Sequence, residues 1–147
     1  MTTLEDVRRI VAGDRGLAVL ATTRRDGTVH ATVVNGGVLR HPTTAEDVVG
    51  VVLRGDREKL RLLRRSGRAS VTFRSGWVWA GVEGPVDIIG PDDPYADMDE
   101  EALRLLLREV YFAAGGIHED LAEYDRVMAE ERRAVVLIHP ERVLGAG

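Results

Sequence analysis

The stretch Val48–Arg68, VVGVVLRGDREKLRLLRRSGR, decides the fold. It opens on Val48, Val49, Val51, Val52 and Leu53, a β-branched apolar run with the composition of a buried strand. Gly55 breaks the run. Asp56 is expected to cap a helix whose body, Glu58–Arg65, contains only helix formers. The charges are poorly placed for stability alone. A helix N-terminus carries partial positive charge and favours acids. Here Arg57 and Lys59 stand in the first turn, with Arg54 just before it, and Asp56 and Glu58 offset only part of the cost. A strand, a glycine turn, free backbone amides and basic side chains together make an anion site suited to phosphate. On spacing alone, a solvated basic helix start on the surface fits at least as well.

The rest of the composition narrows the class. A chain of 147 residues can bury one sizeable core, so residues 1–147 read as a single domain. Hydrophobic content of 44% and charged content of 30% are those of a globular protein. The net charge of −4 argues against nucleic acid or an anionic membrane as partner. No apolar run approaches the roughly 20 residues of a membrane span. The N-terminus lacks the apolar core of a signal peptide. The absence of cysteine excludes disulfides and thiolate metal sites. A cytoplasmic protein is expected.

Outward from the opening stretch, Thr3–Ala12 reads as a helix, with Thr3 and Asp6 as a capping-box variant. Leu17–Thr23 and Thr28–Val34 read as a hairpin about Asp26-Gly27. Asn35-Gly36-Gly37 is expected to turn the chain into a short strand, Val38–Arg40. Ala69–Phe73 and Trp77–Val86 are further strands, with Asp87–Ile89 extending the second past Pro85. Gly81 and Gly84 suggest a bend of the kind that curls a sheet. Asp99–Phe112 and Asp120–Arg132 are helices, and Ala134–His139 a last strand. Strands mostly in hairpin order with a few helices mean an α+β antiparallel barrel. One strand–helix–strand unit and no Gly-x-Gly-x-x-Gly argue against a doubly wound nucleotide fold.

Four pieces in this order carry a resemblance: LAVLATTRRDGTVHATVV, RGDREKLRLLRRSGRASV, WVWAGVEGPVDI and ERRAVVLIHPERVLG. The chain resembles the split β-barrel family of pyridoxamine 5′-phosphate oxidase, and within it the branch using the deazaflavin coenzyme F420. The resemblance implies a mainly β antiparallel split barrel with flanking helices, a homodimer, and an oxidoreductase that uses F420 or, alternatively, FMN. A non-catalytic protein that stores flavin, deazaflavin or haem is the rival outside the enzymes. By the same resemblance Arg57 and Lys59 hold the coenzyme phosphate, and Arg54 and Gly55 end the strand that approaches it. His30, Thr32 and Val33 run along the ring, Trp77 and Trp79 help complete the site from the second subunit, and Glu83-Gly84 matches the family's Glu-Gly. The basic residues that bind pyridoxal phosphate in the oxidase find no match in His139–Gly147, so vitamin B6 oxidation is not implied. The family's Asn after Lys-x-Arg is Leu62 here, and its Asp-Pro-Arg is Ser66-Gly67-Arg68.

No Ser–His–Asp set or paired carboxylates stand out, and hydride transfer by a coenzyme requires no catalytic side chain. His41, His118 and His139 are scattered without partners at ligand spacing, so no metal site is expected. Trp77 and Trp79 read as a pocket wall or as interface. Arg64, Arg65 and Arg68 read as a helix end favoured by the dipole, or as partners for an acidic coenzyme tail. The Pro91–Glu101 loop reads as a solvated connection. The substrate is a small molecule of unspecified class.

Overall fold

In the computed structural model, which describes residues 1–146, the opening stretch forms a buried strand followed by a helix. The chain runs α1 (Leu4–Gly13), β1 (Leu17–Thr23), β2 (Val29–Arg40), β3 (Asp47–Leu53), α2 (Glu58–Ser66), β4 (Arg68–Ser75), β5 (Val78–Ile89), α3 (Glu100–Ala113), α4 (Leu121–Glu130), β6 (Ala134–Ile138) and β7 (Arg142–Ala146). Sheet order is β4-β1-β2-β3-β6-β5-β7, and β4 also pairs with β5. Six antiparallel strands therefore close into a barrel, with β7 added along the outer edge of β5.

The barrel is split because β2 and β5 each change neighbours along their length. The first half of β2 pairs with β1, up to Leu17↔Asn35, and the second half with β3, from Gly36↔Val51 to Arg40↔Asp47. Likewise Val78–Pro85 of β5 pairs with β4, whereas Val86–Ile89 pairs with β6. The extension of this strand past Pro85 is as expected. The expected turn at Asn35-Gly36-Gly37 is not there: β2 runs straight through it. The glycines serve close packing instead. A Cβ on Gly37 would lie 2.2 Å from the Ala113 carbonyl oxygen, so the end of α3 rests on bare backbone.

The apolar run is buried on both faces, which is why it lacks alternation. Val49, Val51 and Leu53 point into the barrel with Leu20, Phe73 and Val136, and α1 closes one end through Val7, Ile10 and Val11. Val48 packs on the other face with Leu106, Leu107, Val110, Tyr124 and Leu137, beneath α3 and α4. Thr3 and Asp6 do form the capping box of α1, and the Asp99 and Asp120 carboxylates accept amide hydrogen bonds at the starts of α3 and α4. One local reading fails, and one strand went unread. Trp77 lies in the turn before β5, because the β4–β5 ladder ends at Ser75↔Val78. β7 has no apolar run to announce it; Arg142–Ala146 is held by its pairing with Trp79–Glu83.

Candidate functional site

The cations of the opening stretch meet at the end of the barrel where β3 passes into α2. The residue at the N-cap of α2 is Arg57, not Asp56, and no side chain caps the helix. Asp56 turns back to Arg54, 3.2 Å away. The first amides of α2 are therefore left to another acceptor. The Arg57 guanidinium forms no ion pair among the described residues. The Lys59 ammonium donates to the Thr32 hydroxyl across 3.0 Å and likewise has no acid partner. Its pKa is lowered, first by burial and then by the like charges of Arg57 and Arg133.

Arg133 is the residue the sequence did not reveal. It sits 80 positions beyond Leu53 in the chain, yet Ala134 pairs with Leu53 in the sheet. Gly55 makes the junction: its amide donates to the Glu131 carbonyl across 3.1 Å. A Cβ there would come 2.6 Å from the Arg132 carbonyl oxygen. The turn before β6 thus packs against the strand–helix turn and brings Arg133 into the cluster. Glu131 is the internal counter-ion. Its carboxylate accepts from Arg133 at 2.8 Å and lies 3.5 Å from Arg54, and its pKa is held down chiefly by the Arg133 hydrogen bond. Arg54 and Arg133 are neutralised; Arg57 and Lys59 are not.

These groups line one side of a cleft of about 330 Å³. Val33, Val52, Val110, Tyr111, Tyr124 and Met128 line the rest. The Tyr111 and Tyr124 rings lie 4.8 Å apart, with Tyr124 anchored by a 3.0 Å hydrogen bond to the Leu107 carbonyl. One end is cationic and the other offers flat apolar and aromatic surface. That donor set fits a phosphate-bearing molecule with a planar ring.

Of the expected site residues, Arg54, Arg57, Lys59 and Val33 line this cleft, Thr32 joins through Lys59, and Gly55 supports it from behind. His30 shares the inward side of β2 with Thr32 but does not line the cleft. Trp77 is 96% exposed, and Trp79 lines a separate surface depression beside Thr2 and Val78. Within one chain, neither tryptophan reaches the cleft. Arg64 and Arg68 are engaged by Asp93 and Glu141 at 2.6 Å, and Arg65 donates to the Thr23 carbonyl. The Pro91–Glu101 loop is thus more than a solvated connection: Asp93 and Asp92 hold Arg64 and Arg132.

At the opposite end of β3 and β6, two of the three histidines that look scattered in sequence converge. His41 and His139 each place Nε2 2.8 Å from Oδ2 of Asp87, and the Tyr95 hydroxyl donates to the same oxygen. These are ligand-type atoms within 4.8 Å of one another. The Thr43 and Thr44 amides donate to Nδ1 of the buried His41, which fixes its proton on Nε2. A metal on Nε2 would move that proton to Nδ1, against two N–H groups. The trio is therefore a hydrogen-bonded hub that ties β2, β5 and β6 together. Hydrogen bonds from His139 and His41 outweigh burial and lower the Asp87 pKa.

No helix among the described residues is long and apolar enough to cross a membrane. No family model matches the chain, and neither does any curated protein. Solved structures do match. A conserved hypothetical protein of Mycobacterium tuberculosis superposes with a TM-score of 0.70 at 19% identity, over 99% of this chain and 84% of that one. An FMN-binding protein of Nostoc punctiforme, related to pyridoxamine 5′-phosphate oxidase, gives 0.67 at 12% identity, over 96% and 80%. An F420 reductase gives 0.60 at 15% identity, over 91% and 93%. At these identities the likeness is one of fold. The chain shares the split barrel of proteins that include FMN binders and an F420 reductase.

Proposed function

We propose that the protein is an oxidoreductase that binds a flavin-type coenzyme in the cationic cleft, with F420 the first choice and FMN the alternative. The observation that carries this reading is the pair Arg57 and Lys59. Two cations stand without acid partners among the described residues at the uncapped start of α2, facing a cleft walled by Tyr111 and Tyr124. In a protein with no anionic ligand, such crowding only costs stability. The FMN-binding and F420 reductase structures that share the fold support the choice of ligand class.

Arg57 and Lys59 would hold the phosphate, with Glu131 keeping Arg54 and Arg133 in place beside them. The apolar wall of Val33, Val110 and Tyr111 would orient the ring and exclude water. Hydride transfer is the chemistry the coenzyme supplies when bound. A homodimer is part of this proposal. Val29 and Val33 stand 61% and 65% exposed on the outer face of β2, and Val19 lies beside Val33 across the β1–β2 ladder. An apolar stripe on a barrel exterior suits a second copy of the chain. The cleft itself, at about 330 Å³, is at the lower limit for a cofactor site, which leaves room for a partner to complete it.

The test is a side-by-side titration of the purified protein with F420 and with FMN, repeated on Lys59→Ala. Saturable binding of one or both, weakened in the variant, supports the reading. Binding without substrate-dependent oxidation of the reduced coenzyme would mark a storage protein instead. Absence of binding to both would remove the proposal.

A further inference from the structure

A second, larger cavity lies against the first. It is an open cleft of about 920 Å³ bounded by α3, α4 and the loop that follows β5. Its apolar lining comes from Met98, Leu103, Leu107 and Met128. Met128 and Arg133 line both cavities, so the two share a wall. Methionine side chains at such a place adapt to ligands of varied outline.

The electrostatics of the two cavities differ. In the first, Arg57 and Lys59 are free to meet an anion. In the second, every lining cation is already matched. Arg132 is held by Asp92, and Arg133 by Glu131 at 2.8 Å. Arg104 bonds to Glu101 and Asp125, and Asp125 also takes Arg108. Asp99 is spent on capping α3, where it accepts from the Ala102 amide across 2.8 Å. Only Glu100, on the exposed rim, adds an unmatched charge. An anion entering here would break an existing pair and meet Glu100. A neutral apolar molecule would bury the part-exposed Met98, Leu103 and Met128 side chains at no such cost.

We propose that this cavity binds an uncharged, largely apolar small molecule, and that this molecule is the reaction partner of the coenzyme held next door. The second half of the statement rests on the function proposed above; the first does not.

The experiment uses a matched pair of probes, 2-acetylnaphthalene and 2-naphthoate, which share a body and differ in charge. Binding is measured by equilibrium dialysis on the full chain. Ala129→Trp narrows the second cavity from the exposed side of α4 without touching the first. Met98→Trp fills it from the loop and serves as the second variant, each checked by its melting curve. The expected result is saturable binding of the ketone, at least about tenfold tighter than the carboxylate, and weakened about tenfold or more by either variant. FMN and F420 affinities should stay within about twofold in both variants. Equal or tighter binding of the naphthoate overturns the inference, as does ketone binding that both variants leave unchanged. Saturable ketone binding in a protein that takes up neither coenzyme overturns the partner role and the proposed function together.

Discussion

Replacing Lys59 with methionine keeps the length of the side chain and removes only its charge. In the free protein that charge is a burden: it is part-buried, faces Arg57 and Arg133, and donates only to the neutral Thr32 hydroxyl. Its lowered pKa means the folded protein holds the Lys59 proton less firmly than the unfolded chain does. The sign follows: the charge disfavours folding at neutral pH, and the penalty fades as pH rises from the lowered folded value towards the ordinary lysine value, above which it is gone. Lys59→Met should therefore leave stability at pH 7 unchanged or raised by up to about 1 kcal/mol, after allowance for solvent screening. Coenzyme binding should move the other way. A charge-assisted hydrogen bond to phosphate is worth about 1.5–3 kcal/mol. That corresponds to roughly 10- to 150-fold in affinity. The assay is calorimetric titration with FMN and with riboflavin, which differ only in the phosphate. The loss should appear with FMN and be nearly absent with riboflavin. Equal losses for both, or none for FMN, would refute the assignment of Lys59 to the phosphate.

Further outcomes follow from the same geometry. Arg57→Ala should weaken FMN or F420 by a similar factor, and wild-type affinity should fall as salt is raised from 50 to about 300 mM, since the anchors are exposed enough to be screened. Asp87→Ala removes the acceptor shared by His41, His139 and Tyr95 and should cost about 2–4 kcal/mol, read as a melting temperature lower by about 4–16 °C. Because the Asp87 pKa is lowered, the stability it contributes is present above the ordinary aspartate range and is lost as pH falls through its folded value. Wild type and variant melting temperatures should thus converge at acid pH below about 4. Val29→Lys on the outer face of β2 should turn the proposed dimer into a monomer in light scattering; a wild-type protein of monomer mass would remove the dimer from the proposal. Gly37→Ala should destabilise by about 3 kcal/mol or more, because its Cβ would collide with the Ala113 carbonyl.

The features that could be read from sequence were those set by near neighbours. The Val48–Leu53 run and the Thr3–Asp6 capping box depend on local propensity and spacing, and they formed as expected. So did the gathering of Arg54, Arg57 and Lys59, since six positions of one turn cannot travel far apart. The misreadings have a common cause. Gly36 and Gly37 look like a turn until α3 is laid across them. Asp56 looks like a cap until Arg54 claims it. Arg133 enters the cleft through the pairing of β3 with β6, and His41, Asp87 and His139 meet through β5 and β6. Those contacts span tens of residues, and neither periodicity nor spacing encodes them.

The most direct measurement is a crystal structure of the protein grown with the coenzyme that binds more tightly in the side-by-side titration. A phosphate oxygen should lie within about 4 Å of both the Arg57 guanidinium and the Lys59 ammonium, at the start of α2. A phosphate bound elsewhere, with both cations facing solvent, would contradict the central claim.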